Sequence, residues 1–436
     1  MKFAICWSCI LVLAALSMSH APRIAAQTTN RITIGTSVLG APIEAVRFGS
    51  GVRKFVVVGD THGGPERNTY VLSNQLIEWF TAHPADVPAD VRLYIIPTLN
   101  PDGEKLDIRQ NANGVDLNRN MNTNLDRCPE NDWATRVYGA SGVISDTGGP
   151  YADSEIESRV IRSFLLDASS VVFLHSAAGL VFPAQCEDAV AIAMAQAYAN
   201  AGDYEYARYW ENYPITGGMH DWARGVELPA IIPELESGDE PEFERNLAGV
   251  KALLAQPDAF IPPLTETTVD GVTMPLPVWR FWQAYGAAHL GQPIGMPIVK
   301  DGITVQEFTT IRLAYDPTRD TQSVYALPLE LPTMVGELVP VIEERSVVRF
   351  AGTEATVHDA FAGYYQQIDG QYLLGAPRDY ERLVTSPHHP SESRQQFMFG
   401  VIRYDATANS VERLPVVYQH AVVQQLIAPT QPFQIR

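Results

Sequence analysis

At 436 residues the chain is too long for one average domain and has material for two or three. Hydrophobic residues make up 46% and charged residues 19%, a composition that suits a globular protein with a sizeable core. The formal net charge of -19 argues against nucleic-acid partners and against docking on anionic lipid.

The chain opens with Lys2, an apolar stretch from Phe3 to Met18, and Ala25-Ala26 before Gln27. That is the pattern of a secretory signal peptide over residues 1–26, cleaved after Ala26. No later apolar run approaches the roughly 18 residues of a membrane span. The expected location is therefore extracellular or in the cell envelope, with no transmembrane segment after cleavage. Cleavage would remove Cys6 and Cys9 and leave Cys128 and Cys186. An even count in an oxidising compartment favours a disulfide, although two free thiols fit the sequence as well.

Residues 31–41 and 42–48 read as an opening hairpin. Phe55-Val56-Val57-Val58 follows, and Pro65 is placed for the first turn of a helix running to about His83. Further apolar runs at Leu93–Ile96, Val171–Leu174 and Ala230–Ile232 alternate with helical stretches such as Ser154–Leu166 and Ala189–Ala201. Short β-branched runs that are apolar on both faces are buried parallel strands. The class is α/β with a mostly parallel sheet, filling a first domain at 27–257. Residues 258–277, from Ile261-Pro262-Pro263 to Pro275-Leu276-Pro277, read as a Pro/Thr-rich linker. The remainder, 278–436, carries an imperfect repeat. Phe281-Trp282-Gln283-Ala284-Tyr285-Gly286 and Leu290-Gly291-Gln292-Pro293 are echoed by Tyr364–Gly370 and Leu374-Gly375-Ala376-Pro377. Each unit reads as an aromatic-rich helix followed by short strands. His388-His389, between Pro and Ser, reads as a solvated loop rather than a metal site.

The chemistry sits at the ends of the four apolar runs, where open α/β sheets bind ligands. His62 and Glu66 straddle one strand-to-helix turn, His175 arrives from another strand end, and Glu234 closes a third. Two histidines and a glutamate around an open fourth position are the usual donors of catalytic zinc. His-Glu-x-x-His is absent, which excludes the helix-borne zinc protease arrangement.

Asn100-Pro101-Asp102-Gly103, Gly114-Val115-Asp116-Leu117 with Asn118-Arg119, and Tyr213–Trp222 followed by Glu234-Leu235 resemble the zinc metallocarboxypeptidases of the pancreatic carboxypeptidase type. The resemblance covers about residues 30–255 and implies a mixed eight-stranded sheet flanked by helices. It also implies one zinc ion per chain on His62, Glu66 and His175, with Arg109 beside the scissile carbonyl and Glu234 as the catalytic base. Asn118 and Arg119 would hold the substrate's terminal carboxylate, Tyr213 would close over it, and His220 would face the substrate side chain. The chemistry agrees: an arginine fork reads a carboxylate, and a fixed guanidinium stabilises a developing oxyanion.

Three departures from the family pattern stand out. Gly63-Gly64-Pro65 puts three residues between His62 and Glu66 where two are usual, and the glycines must absorb the extra one. Pro233 precedes the proposed base in a strand, where proline costs a ladder bond; Glu236 shares its face and is the second candidate base. The stretch before residue 30 leaves no room for the large inhibitory prosegment of the digestive enzymes. The resemblance implies a secreted zinc carboxypeptidase acting on peptides with a free C-terminal carboxylate. A peptidoglycan stem-peptide hydrolase stays open beside it, because family members with a run like Asn111-Ala112-Asn113-Gly114-Val115-Asp116-Leu117-Asn118-Arg119-Asn120 do this. The C-terminal repeats, which look like those of exported bacterial proteins thought to associate with the cell wall, support wall proximity and no particular bond. A binding protein with a relic hydrolase domain is the third alternative.

Overall fold

The computed structural model describes residues 30–415 apart from 330, 332, 335, 341–345, 387 and 388. The leader expected at 1–26, with Cys6 and Cys9, lies outside these residues, as does His388. Within them, no helix is long and apolar enough to cross a membrane.

The central sheet begins with the expected hairpin, β1 (Asn30–Thr36) and β2 (Pro42–Phe48), and continues with β3 (Arg53–Val58) and β4 (Val91–Ile96). A small hairpin, β5 (Val137–Tyr138) with β6 (Ile144–Ser145), projects from the long connection that follows. The sheet resumes with β7 (Ser170–Phe173), β8 (His175–Ser176), β9 (Leu180–Pro183), β10 (Glu205–Tyr206) and β11 (Ala230–Leu235). The strand order is β1-β2-β4-β3-β7-β11-β9-β10, with the two-residue β8 also pairing β11. Neighbours β4, β3, β7 and β11 run parallel, while β1-β2, β2-β4 and β11-β9 are antiparallel. The sheet is thus the mixed eight-stranded one that the resemblance implied, with β8 as a short addition.

Side-chain alternation explains why the central strands are apolar throughout. Val56, Val58, Tyr94, Ile96 and Phe173 face one core, against α3 (Ile156–Leu165) and α5 (Met219–Gly225). Phe55, Val57, Leu93, Ile95 and Val172 face the other, against α1 (Arg67–Ala82), α4 (Ala189–Gly202) and α6 (Phe243–Leu254). A strand covered by helices on both faces has no solvent side to make polar. α2 (Pro101–Leu106) is short and capped by Asn100, whose side chain accepts from Gly103 N.

The stretch 258–277 is built differently from the linker expected there. After α7 (Pro257–Phe260), β12 (Glu266–Val269) and β13 (Val272–Pro275) form a hairpin that turns at Asp270-Gly271, and α8 (Leu276–Tyr285) starts directly from it. Both turn residues have positive φ, the geometry that favours Asp-Gly in two-residue hairpins. α9 (Ala287–Leu290) leads into a four-stranded antiparallel sheet from Pro293–Lys300 to Val324–Ala326. α10 (Asp359–Gln367) and α11 (Gly370–Leu373) lead into strands of a second antiparallel sheet ending at Ser410–Arg413. Val278, Phe281, Phe308, Phe361 and Phe397 share one core, and Leu166, just past α3, belongs to it. Arg280 is buried and donates to the carbonyls of Leu166, Ala168, Val226 and Glu227. The C-terminal region is therefore packed onto the catalytic sheet rather than tethered to it.

Candidate metal centre

Where β3 ends, the chain must turn sharply to start α1, and the glycines decide how. A Cβ on Gly63 would fall 2.2 Å from Gly103 C in α2, and Gly64 has φ +56. A close approach and a left-handed residue, side by side, accommodate the extra residue between His62 and Glu66. Both side chains are buried.

His62, Glu66 and His175 converge. His62 Nδ1 lies 2.7 Å from Glu66 Oε1, and His175 Nδ1 lies 2.9 Å from Glu66 Oε2 and 3.2 Å from His62 Nδ1. One ligand atom from each residue falls within 4.8 Å of the others. On the far side of His62, Nε2 is 2.8 Å from Asp116 Oδ1. A proton held on Nε2 leaves the Nδ1 lone pair turned toward the centre. Lone pairs and carboxylate oxygens that close together need a proton or a cation between them. Two imidazole nitrogens and a carboxylate are zinc's preferred donors, so the residues present fit that ion.

The electrostatics follow from burial and these contacts. Burial and Arg109 depress His62, but Glu66 and Asp116 outweigh them and its pKa is raised. His175 is pushed down to about 4, chiefly by burial, against the pull of Glu66. Burial disfavours charge on Glu66, yet the two histidines hold it well below the usual carboxylate range. Asp116 behaves likewise, with Arg109 and His62 overcoming burial. Arg109 donates to Glu66 Oε1 at 2.6 Å and to Asp116 Oδ2 at 3.0 Å.

Glu234 stands directly across the β8–β11 ladder from His175. Burial, reinforced by the charge of Glu66, pushes it up to about 8. The alternative base, Glu236, is exposed and paired with Arg245 at 2.8 Å. Pro233 costs little here. β11 pairs β7 at Ala230 and Ile231 and β8 at Glu234 and Leu235, so the missing N–H falls where that ladder is already interrupted.

Around this centre lies a cavity of about 620 Å³ lined by His62, Glu66, His175, Arg109, Asn118, Arg119, Tyr213 and Glu234, among others. Arg119 is buried, with Nε donating to Tyr138 O at 2.7 Å and Nη1 to Asn118 O at 2.8 Å. Burial, more than the opposing charge of Asp116, lowers its pKa, and a guanidinium so held stays cationic. Asn118 Oδ1 accepts from Met219 N at 2.9 Å, so the amide NH2 is its remaining polar group. Tyr213 stacks on Tyr138 at 6.4 Å between centroids and meets Trp210 edge-on at 5.3 Å. Burial raises its hydroxyl pKa.

His220 is the exception. It is buried on α5, edge-on to Phe182 at 5.5 Å, and is not among the residues lining the cavity. Phe182, Ile215 and Trp210 line it instead. α5 starts at Met219, immediately before His220, and the first turn points its imidazole into the helix–sheet packing.

Two features escaped the sequence. Asp116 fixes His62, Arg109 and the backbone N–H of Asn118 together; it lies inside the Gly114–Arg119 run, and its one sequence signal is a carboxylate two residues before Asn118. The β5–β6 hairpin, whose Tyr138–Gly142 stretch lines the cavity, left no periodicity to read. Cys128 and Cys186 are disulfide-bonded, with Cα atoms 5.8 Å apart. The bond ties the loop beyond Arg119 to the segment following β9.

Comparison with known proteins points the same way. The zinc carboxypeptidase family profile matches residues 20–269. Murein peptide amidase A of Escherichia coli (strain K12) is 36% identical over 88 residues, which are 20% of this chain and 34% of that protein. The chain thus spans about a third of the length of the curated relatives it matches. Among solved structures, the murein-tripeptide amidase of Escherichia coli O157 is 22% identical, over 54% of this chain and 96% of the other, with a TM-score of 0.40. Carboxypeptidase A from Helicoverpa armigera is 21% identical, over 53% and 68%, with a TM-score of 0.44.

Proposed function

Because the chain belongs to the zinc carboxypeptidase family, we propose that it is an exported enzyme that removes the C-terminal residue from peptides. The observation that carries this reading is one cavity in which Arg119, Asn118 and Tyr213 share walls with His62, Glu66, His175 and Glu234. The first group suits a free carboxylate and the second suits hydrolysis. A zinc ion on His62, Glu66 and His175 would polarise the scissile carbonyl and make water nucleophilic at neutral pH.

The chain's own groups supply the rest. Arg119 offers the planar fork that grips the terminal carboxylate, and the Asn118 NH2 adds a donor. Tyr213, kept protonated, closes over the bound residue. Glu234 takes a proton from the attacking water and returns it to the leaving amine, the work of a carboxylate with a pKa near working pH. Arg109, held by Asp116, lies on the cavity wall to meet charge developing on the carbonyl oxygen.

Export is supported by the leader pattern and by the Cys128–Cys186 disulfide, since such bonds persist in oxidising compartments. A peptidoglycan stem peptide as substrate is the second reading. It is favoured by the 88-residue match to a protein named murein peptide amidase A, and the C-terminal segments would then serve wall association. The relic reading is disfavoured because residues suited to a donor set, a base and a carboxylate grip line one cavity.

The test is purified protein against a panel of peptides and muropeptides, with and without a chelator. Chelator-sensitive release of single C-terminal residues from ordinary peptides supports the proposal. Release from muropeptides alone replaces it with the second reading, and no release from either, with no stoichiometric zinc, restores the relic.

A further inference from the structure

The seam between the catalytic sheet and the C-terminal region holds a buried ionic chain that ends beside the carboxylate grip. Asp369, between α10 and α11, accepts from Arg162 Nη2 at 3.0 Å and from the Tyr285 hydroxyl at 2.9 Å. Arg162, on α3, lies over the Tyr285 ring at 4.2 Å and donates its Nη1 to Asp153. Asp153 accepts from Asn122 N at 3.0 Å and donates its own N–H to Asn120 O at 2.6 Å. Asn120 is the residue after Arg119. The next residue, Met121, donates its N–H to Gly217 O on the Tyr213 loop at 3.0 Å. Arg162, Asp153 and Asp369 are 3%, 6% and 9% exposed, and with Tyr285 they line a small cavity of about 240 Å³.

We infer that Asp369 of the C-terminal region is a positioning residue for substrate binding, holding Asn118, Arg119 and the Tyr213 loop through Arg162 and Asp153. The inference rests on the carboxypeptidase reading and gives the C-terminal region a part in the site besides any wall association. A guanidinium shared by two carboxylates has a fixed place; with one of them neutralised it shifts toward the other. Asp153 then moves, and with it two of the hydrogen bonds on the 118–122 segment, those to Asn120 O and Asn122 N.

The test uses the full-length protein and two probes, an N-benzoyl amino acid with a free carboxylate and the matching amide, with binding read by calorimetry. Wild type prefers the acid. Asp369→Asn weakens acid binding about tenfold and leaves amide binding unchanged; in turnover, KM rises by that factor while kcat holds. Asp153→Asn weakens acid binding at least as much, and the double variant binds no worse than Asp153→Asn alone, because both act through Arg162. Asp320→Asn cuts the same seam elsewhere, at Arg47 and the Tyr94 hydroxyl; it lowers Tm without changing acid affinity. Equal acid affinity in Asp369→Asn and Asp320→Asn overturns the inference, as does loss of acid and amide binding in step. A wild type indifferent to acid and amide removes the carboxypeptidase reading itself, and the inference with it.

Discussion

Asp116 Oδ1 lies 2.8 Å from His62 Nε2, and that contact decides which imidazole nitrogen faces Glu66 and His175. The other oxygen of Asp116 holds Arg109 at 3.0 Å. One carboxylate thus orients a candidate metal donor and the guanidinium that the proposal turns toward substrate. Asp116→Asn can accept on only one of those sides, so the expected loss of zinc affinity is about 10- to 100-fold. Competition with a chromophoric chelator measures it, and unchanged affinity in a folded variant refutes the role.

In the proposed reaction Glu234 does work that binding does not need. Glu234→Gln should hold zinc at one ion per chain and bind peptide normally, while turnover falls by about 10²- to 10⁴-fold. Arg119→Lys should do the opposite, raising KM about tenfold or more because an ammonium cannot offer a paired fork. Steady-state kinetics on one peptide separates the two outcomes, and a kcat effect in the lysine variant would contradict the assignment.

In the metal-free protein the contribution of Glu234 to the pH dependence has a definite sign. Glu234 is pushed up to about 8 from an ordinary value of 4.5. Between these values the folded state keeps a proton on Glu234 that the unfolded chain releases, so this residue's contribution to stability falls as pH rises through that window. Glu234→Gln removes this slope and gains on wild type toward pH 9, as thermal unfolding in chelator will show. Zinc binding near neutral pH should expel the same proton, giving a buffer-dependent calorimetric heat that the glutamine variant lacks. A wild type that gains on the variant as pH rises would reverse the argument.

Arg280 satisfies four backbone carbonyls across the seam. Arg280→Ala leaves them buried without that donor, at a cost of about 3 kcal/mol or more. Because the C-terminal core includes Leu166 from the catalytic side, denaturant should give one transition, displaced as a whole. Two transitions, only one of them displaced, would mean that the C-terminal region folds by itself.

Local pattern made the sheet legible: runs such as Phe55–Val58 are apolar on both faces because helices cover both, and Gly63-Gly64 announced a strained turn. The same logic places His62, Glu66, His175 and Glu234 near the ends of strands. Properties shared between distant segments were less visible. The hairpin at Asp270-Gly271 was hidden by the prolines around it, and nothing local tells that Arg280 caps carbonyls more than fifty residues upstream. His220 packs against Phe182 and off the cavity for a related reason: a motif gives chain order, while helical rotation at Met219 decides whether a side chain meets the cavity or the core.

The most direct measurement is anomalous diffraction at the zinc edge from crystals of the full-length protein grown with zinc. One strong peak should appear about 2.0–2.2 Å from His62 Nδ1, His175 Nδ1 and a Glu66 oxygen. No peak there despite saturating metal, or a peak there with His175 turned away, would contradict it.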